Sequence, residues 1–112
     1  MTLGEKQRVF TRLVASLILH AYDEGYELTF GEAYRTKEQA ELNAKTGKGI
    51  KNSLHVDRLA IDLHLFRRGR YLDRTIDHTD LGAWWELQHP LARWGGRFND
   101  GGHYSLEHDG RK

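Results

Sequence analysis

The sequence predicts an α+β fold, in which a small antiparallel sheet carries a functional site and is flanked by N-terminal helices. Helical periodicity marks the first part of the chain, whereas two later runs alternate apolar and polar residues as half-buried strands do. The 112 residues are enough for one domain with its own core. We therefore expect a single domain over residues 1–112.

The first element is an amphipathic helix from about residue 4 to residue 23, with Gly25 as its stop signal. His20 lies beside its apolar stripe without a paired ligand residue, which favours a structural role for this histidine. The helix is therefore interpreted as core scaffold. The apolar stripe consists of Val9, Phe10, Leu13, Val14, Leu17, Ile18 and Ala21.

A short strand over residues 27–34 and a helix over residues 37–44 are expected next. Thr36 is placed to cap this helix, with Gln39 three residues later as in a capping box. Arg35 stands at the junction of strand and helix. Its planar guanidinium could bind a carboxylate or an oxyanion in a cleft, or it could simply lie in solvent.

The segment from residue 46 to residue 53 is rich in glycine and in basic residues. It lacks the Walker spacing and follows a helix instead of a strand, which argues against a phosphate-binding loop. We interpret the segment as the rim of a cleft, where Lys48 and Lys51 could meet acidic groups or remain solvated.

The run from residue 53 to residue 65 is the most informative part of the chain, because His55 and Asp62 stand on either side of a strand entry. Apolar residues alternate with other residues from position 59 onward, so the Asp62 carboxylate points away from the aliphatic face. A second alternating run begins at His103. Two adjacent strands would therefore present an imidazole beside a carboxylate.

Two imidazoles and one carboxylate from His55, Asp62 and His103 form a donor set that suits Zn²⁺ at roughly 2.0–2.2 Å. Three protein ligands leave a fourth position for water, as catalytic zinc sites require. The chain contains seven histidines, so the spacing alone also permits ordinary surface or core roles. His64 could support Asp62 by a hydrogen bond or lie at the surface.

Two smaller elements are expected between the strands that carry Asp62 and His103. Residues 66–71 contain a turn glycine between two strand-like runs and predict a hairpin tip. Residues 80–87 predict a short helix with Asp80 as its N-cap, in which the adjacent tryptophans face different directions. A core position is the simpler expectation for either tryptophan.

Several fragments that span most of the chain occur together, namely Ala33–Gln39, Ser53–His55 with Ala60–Asp62, and Trp94–Gly96 followed by Asp100–His103. In this order they resemble the VanY-type zinc peptidases of bacterial cell walls. That family includes D-alanyl-D-alanine carboxypeptidases and phage L-alanyl-D-glutamate endopeptidases with the small LAS-type metallopeptidase fold.

The resemblance implies that His55, Asp62 and His103 bind zinc. It also implies that Asp100, three residues before the last ligand, is the catalytic carboxylate that takes up and returns a proton. Arg35 would contact the substrate. The glycines near these residues would let the backbone run close to the metal or to the substrate.

Gln39 and Ser53 fall where the family keeps substrate-side or supporting polar residues, although a capping role for Gln39 is an equal alternative. Two positions depart from the family pattern. Arg58 replaces the usual glycine three residues after the first ligand, so the turn into the ligand strand is expected to differ. Asp100 replaces the longer Glu of many relatives, which leaves Glu107 as a second candidate base.

The function implied is a zinc-dependent peptidoglycan peptidase, first of all a phage endolysin that cuts the L-alanyl-D-glutamate bond of the stem peptide. A D-alanyl-D-alanine carboxypeptidase is one alternative. A non-catalytic module that binds the cell wall or belongs to a virion is another, because it could keep the fold without the chemistry.

Composition adds expectations about partners. A net charge of +1 does not indicate nucleic acid as a partner, and the absence of cysteine excludes disulfides and thiolate metal sites. No run approaches the ~20 apolar residues of a membrane span, and the first residues lack signal-peptide features. We expect a monomer that is held in the host cytoplasm until a holin allows its release to the cell wall.

Overall fold

The computed structural model describes residues 1–50 and 52–112, so that Lys51, expected at the cleft rim, lies outside the described residues. The helices are α1 (Leu3–Asp23), α2 (Lys37–Lys45) and α3 (Thr79–Leu87). The strands are β1 (Glu27–Phe30), β2 (Ala60–Arg67), β3 (Arg70–Leu72), β4 (Ala92–Trp94) and β5 (His103–Leu106). Short 3₁₀ helices cover Leu54–Asp57, Thr75–His78 and Gly95–Phe98.

The sheet is organised around β2, which pairs antiparallel with three other strands. β1 pairs with one edge of β2. On the opposite edge of β2, β5 pairs with the first half of the strand and β3 pairs with the second half. β4 completes the sheet beyond β5. Asp62 in β2 is directly opposite His103 in β5, so the predicted pairing of carboxylate and imidazole on adjacent strands is confirmed.

The core forms where α1 and α3 pack against the sheet. Trp85 is fully buried and its indole N–H donates to the Arg93 carbonyl at 2.9 Å. Trp84 is partly buried, and its ring stacks on His20 with centroids 4.2 Å apart, as expected for a structural histidine. The other large, fully buried side chains are Tyr104, Leu17, Leu59, Leu65, Leu81 and Leu106.

The strand predicted over residues 27–34 is shorter than expected, since β1 ends at Phe30. Gly31 and Glu32 leave the regular strand but keep contact with β2. The Gly31 N–H donates to the Asp62 carbonyl at 2.8 Å, and the Asp62 N–H donates to the Glu32 carbonyl at 2.9 Å. These two bonds hold Glu32 beside the strand that carries Asp62.

The start of α2 at Lys37 with Thr36 as N-cap is confirmed, whereas its capping box and the start of α3 differ from the prediction. The Thr36 hydroxyl accepts the Gln39 N–H at 3.0 Å, but the Gln39 amide donates to Asn43 at 2.7 Å, so the capping box is only half formed. Asp80 is not the N-cap of α3. The 3₁₀ helix Thr75–His78 runs directly into α3, which begins at Thr79 with His78 as its N-cap.

The hairpin expected at residues 66–71 is present between β2 and β3. Arg68 and Gly69 at its tip both have positive φ, 52° and 75°, which matches the tight hairpin turns that follow the twist of the strands. Among the described residues, no helix is both long enough and apolar enough to span a membrane.

Candidate metal centre

His55 lies in the 3₁₀ helix Leu54–Asp57, which enters β2. The Ser53 hydroxyl caps this helix by accepting the His55 N–H at 3.2 Å. Arg58 ends it with a left-handed backbone, φ 55°. The His55 side chain is 3% exposed, so the cap and the turn fix a buried imidazole that faces the sheet.

The three predicted ligands come together at the paired ends of β2 and β5. Asp62 Oδ1 lies 3.3 Å from His55 Nε2 and 3.3 Å from His103 Nδ1. One ligand atom from each residue lies within 4.8 Å of the other two. The group can therefore hold a metal ion.

The charge state of the group fits a cation. Burial disfavours ionisation of Asp62, but hydrogen bonds from His103 and His55 outweigh it and hold the pKa of this carboxyl well below its ordinary value. Two imidazole nitrogens and one ionised carboxylate oxygen thus converge. This donor set suits zinc and other divalent transition metals.

Asp100 lies next to this group, directly after Asn99, whose left-handed φ of 58° ends the 3₁₀ helix Gly95–Phe98. Asp100 Oδ2 is 4.0 Å from His103 Nδ1. The Asp100 side chain is 63% exposed, so the partial desolvation that raises its pKa is modest; the nearby His103 opposes that shift and Asp62 adds to it. A carboxyl in this environment is suited to accept and return a proton.

The cleft continues on both sides of these residues, because Asp62 and Asp100 line two cavities. The larger cavity, about 560 Å³, reaches past Arg35 and Lys48 to Phe98. The smaller cavity, about 280 Å³, lies towards β3 and is lined by His64, Tyr71, Arg74 and His78 among others.

The chain superposes on the crystal structure of the L-Ala D-Glu endopeptidase ChiX of Serratia marcescens with a TM-score of 0.74. The superposition covers 93% of this chain and 85% of that chain, at 16% sequence identity. The chain has the fold of this endopeptidase. The predicted α+β class with a small antiparallel sheet is confirmed, whereas the sequence matches no protein-family model and no curated protein significantly.

Within this endopeptidase fold, the sequence prediction missed Glu32. Its Oε1 accepts the Arg35 Nε–H at 2.8 Å and a second N–H from the same guanidinium, and it lies 3.8 Å from His55 Nδ1. Arg35 does line the larger cavity, as expected, but its fork is engaged by Glu32. No local sequence pattern marks Glu32, because its contact with His55 joins the β1–α2 connection to the 3₁₀ helix Leu54–Asp57.

The remaining predicted residues fall into two groups. Ser53 lines the larger cavity and supports His55 through the cap. Gln39 is exposed on α2, bonded to Asn43, and does not line that cavity. Glu107 follows β5 with its carboxylate 3.5 Å from Arg93 Nε, and it lines neither cavity beside Asp62.

The glycines beside the ligands make room for the chain itself. A Cβ on Gly95 would lie 2.3 Å from the Asp100 carbonyl oxygen and 2.8 Å from the His103 Cβ. A Cβ on Gly102 would lie 2.7 Å from the Leu63 carbonyl oxygen. The sequence predicts that these glycines bring the backbone close to the metal or the substrate; in the structure they allow close approaches within the protein, which keep Asp100 beside β2 and β5.

Proposed function

We propose that the chain is a zinc-dependent peptidoglycan peptidase in which His55, Asp62 and His103 hold the metal. The observation that carries the proposal is the convergence of their three ligand atoms within 4.8 Å, beside a carboxylate, in a fold shared with an L-Ala D-Glu endopeptidase. Three protein ligands leave the fourth tetrahedral position open for water, as catalytic zinc sites require.

When bound, zinc would supply Lewis acidity to a scissile carbonyl and acidify water. In this proposal Asp100 handles the proton; the support is that its carboxylate lies 4.0 Å from His103 Nδ1 and that partial desolvation raises its pKa. It would accept the proton of the attacking water and return it to the leaving amine. Glu107 is a weaker candidate base, since its carboxylate pairs with Arg93.

We further propose that the enzyme is an endopeptidase that cuts between L-alanine and D-glutamate of the stem peptide. An endopeptidase needs a groove that continues on both sides of the cleaved bond, and Asp62 and Asp100 line cavities on both sides. The larger cavity is lined by Lys48 and Lys112, and also by Arg35 and Arg111, whose guanidinium groups pair with Glu32 and Asp57. This side suits the acidic D-glutamate half of the substrate.

We also propose that the protein acts in phage lysis as a monomer, with a holin allowing its passage to the cell wall. The support is the resemblance of its motifs to the phage endopeptidases of the VanY type. Production in the cytoplasm of a host is part of this proposal.

The test is mass spectrometry of soluble fragments released from purified peptidoglycan, with and without a zinc chelator. New fragments ending in L-alanine, lost with chelator and regained on adding Zn²⁺, are expected. Loss of only a terminal D-alanine would replace the endopeptidase by a carboxypeptidase. Binding to sacculi without release of any fragment would favour a non-catalytic module.

A further inference from the structure

Glu32 lies on the side of His55 opposite to the ligand group. His55 Nε2 faces Asp62 at 3.3 Å, whereas His55 Nδ1 faces Glu32 Oε1 at 3.8 Å. His55 Nδ1 is buried and has no hydrogen-bond partner within the described part of the chain. Glu32 is therefore the acidic group nearest to an imidazole nitrogen that lacks a partner.

A histidine that binds a metal through one ring nitrogen carries its proton on the other, and that N–H is normally donated to a carboxylate, a carbonyl or water. The partner fixes the tautomer and the orientation of the ring. Glu32 has the chemistry and the position to accept this proton from His55. The 3.8 Å separation is longer than a hydrogen bond, so the proposed contact requires the two side chains to approach by several tenths of an ångström.

Glu32 is itself held by two independent sets of contacts. Its carbonyl accepts the Asp62 N–H at 2.9 Å, and its carboxylate accepts two N–H groups of Arg35. The Arg35 backbone N–H in turn donates to the His55 carbonyl at 3.2 Å. Arg35, Glu32 and His55 thus form a closed ring of contacts behind the ligand group.

We propose that Glu32 accepts the Nδ1–H of metal-bound His55, and that Arg35 acts through Glu32 as a positioning residue for the metal centre. The inference rests on the proposed zinc-dependent function and adds to it a residue that the sequence did not single out. In this proposal the Arg35 guanidinium binds Glu32 and not a carboxylate of the substrate.

The experiment measures the Zn²⁺ affinity of the purified protein by competition with a chromophoric chelator. Glu32→Ala is expected to bind Zn²⁺ about 10- to 100-fold more weakly than the wild type, and Glu32→Gln, which keeps an acceptor oxygen, by less. Glu38→Gln on exposed α2 is the matched control and should bind as the wild type does. Thermal unfolding of each apoprotein checks that the variants are folded.

Arg35→Ala and the double variant with Glu32→Ala complete a cycle. If Arg35 acts through Glu32, Arg35→Ala weakens Zn²⁺ binding, and the double variant binds no more weakly than Glu32→Ala alone. Unchanged Zn²⁺ affinity in Arg35→Ala would contradict the positioning role and would indicate that the Arg35 guanidinium binds substrate instead. Additive losses in the double variant would likewise contradict action through Glu32.

Nitrogen-15 NMR of the zinc-loaded wild type tests the contact without any variant. The expected spectrum has His55 with a protonated Nδ1 shifted downfield by a charged acceptor and Nε2 on the metal. An unprotonated Nδ1, or equal Zn²⁺ affinity in the wild type and Glu32→Ala, overturns the inference while the function stands. A wild type that binds no Zn²⁺ overturns both.

Discussion

The Arg58 guanidinium lies over the ring of Tyr34, with its central carbon 4.0 Å from the ring centroid. Arg58 has a left-handed backbone, φ 55°, which glycine adopts without steric cost and other residues do not. Arg58, at the position where the VanY-type sequences that this chain resembles usually have glycine, thus occupies a conformation that suits glycine. The contact with Tyr34 offsets part of the strain.

Replacing Arg58 separates these two effects. Arg58→Ala loses the contact with Tyr34, worth about 0.5–1 kcal/mol at an exposed site, and keeps the strain. Arg58→Gly loses the contact but removes a strain of about 1 kcal/mol. Urea unfolding should therefore place Arg58→Gly near the wild type and Arg58→Ala below both, whereas equal stability of the two variants would contradict the argument.

His103→Ala is expected to abolish both zinc binding and peptidase activity, because two ligands cannot replace the three that converge on one point. His64→Ala is the matched control. His64 lies two residues after Asp62 on the same strand but is exposed and has no hydrogen bond to it among the described contacts. Metal analysis should show zinc retained in His64→Ala and lost in His103→Ala, and peptidoglycan digestion should show no activity in His103→Ala. Zinc retained in His103→Ala would count against the site.

Asp100→Ala is expected to keep zinc and to lose turnover by about 10²- to 10⁴-fold, the usual contribution of a general base. Glu107→Gln should remain active, since its carboxylate pairs with Arg93. Digestion of purified peptidoglycan, with zinc content measured on the same samples, distinguishes the two residues. Full activity in Asp100→Ala would show that Asp100 is not the general base.

Because His78 is buried, we expect the free energy of unfolding to fall in acid. Burial lowers its pKa to about 4 against the opposing charge of Asp77, and its Nδ1 is hydrogen-bonded to the buried Tyr104 hydroxyl at 2.8 Å. The unfolded chain binds the proton first, so the stability contributed by neutral His78 is present above about pH 6.5 and is lost as the pH falls towards 4. The loss amounts to about 3 kcal/mol at most.

Urea unfolding of the apoprotein at pH 7 and pH 4.5 measures this effect. His78→Gln keeps a polar partner for Tyr104 but does not titrate, so its stability should fall less between the two pH values than that of the wild type. Equal falls in the two proteins would show that other groups cause the acid sensitivity.

Much of the site could be predicted from short sequence patterns, because the side on which a strand residue points depends only on its place in the alternation. Asp62 and His103 follow that rule, and their strands pair with the two residues opposite each other. The helical stripe of α1 and the hairpin at residues 66–71 are equally local. The errors at Phe30 and Asp80 lie at element ends, where contacts with neighbouring segments decide the boundary.

The sequence by itself determined the helix that supports the sheet, the faces on which Asp62 and His103 lie, and the donor set of the candidate metal centre. Only the tertiary structure decided that Glu32 and Arg35 lie behind His55, that Gln39 and Glu107 line no cavity beside Asp62, and that the cleft continues on both sides of Asp62. The physical reason is that these relations join separate segments. They depend on strand register and loop path, which no single stretch of sequence specifies.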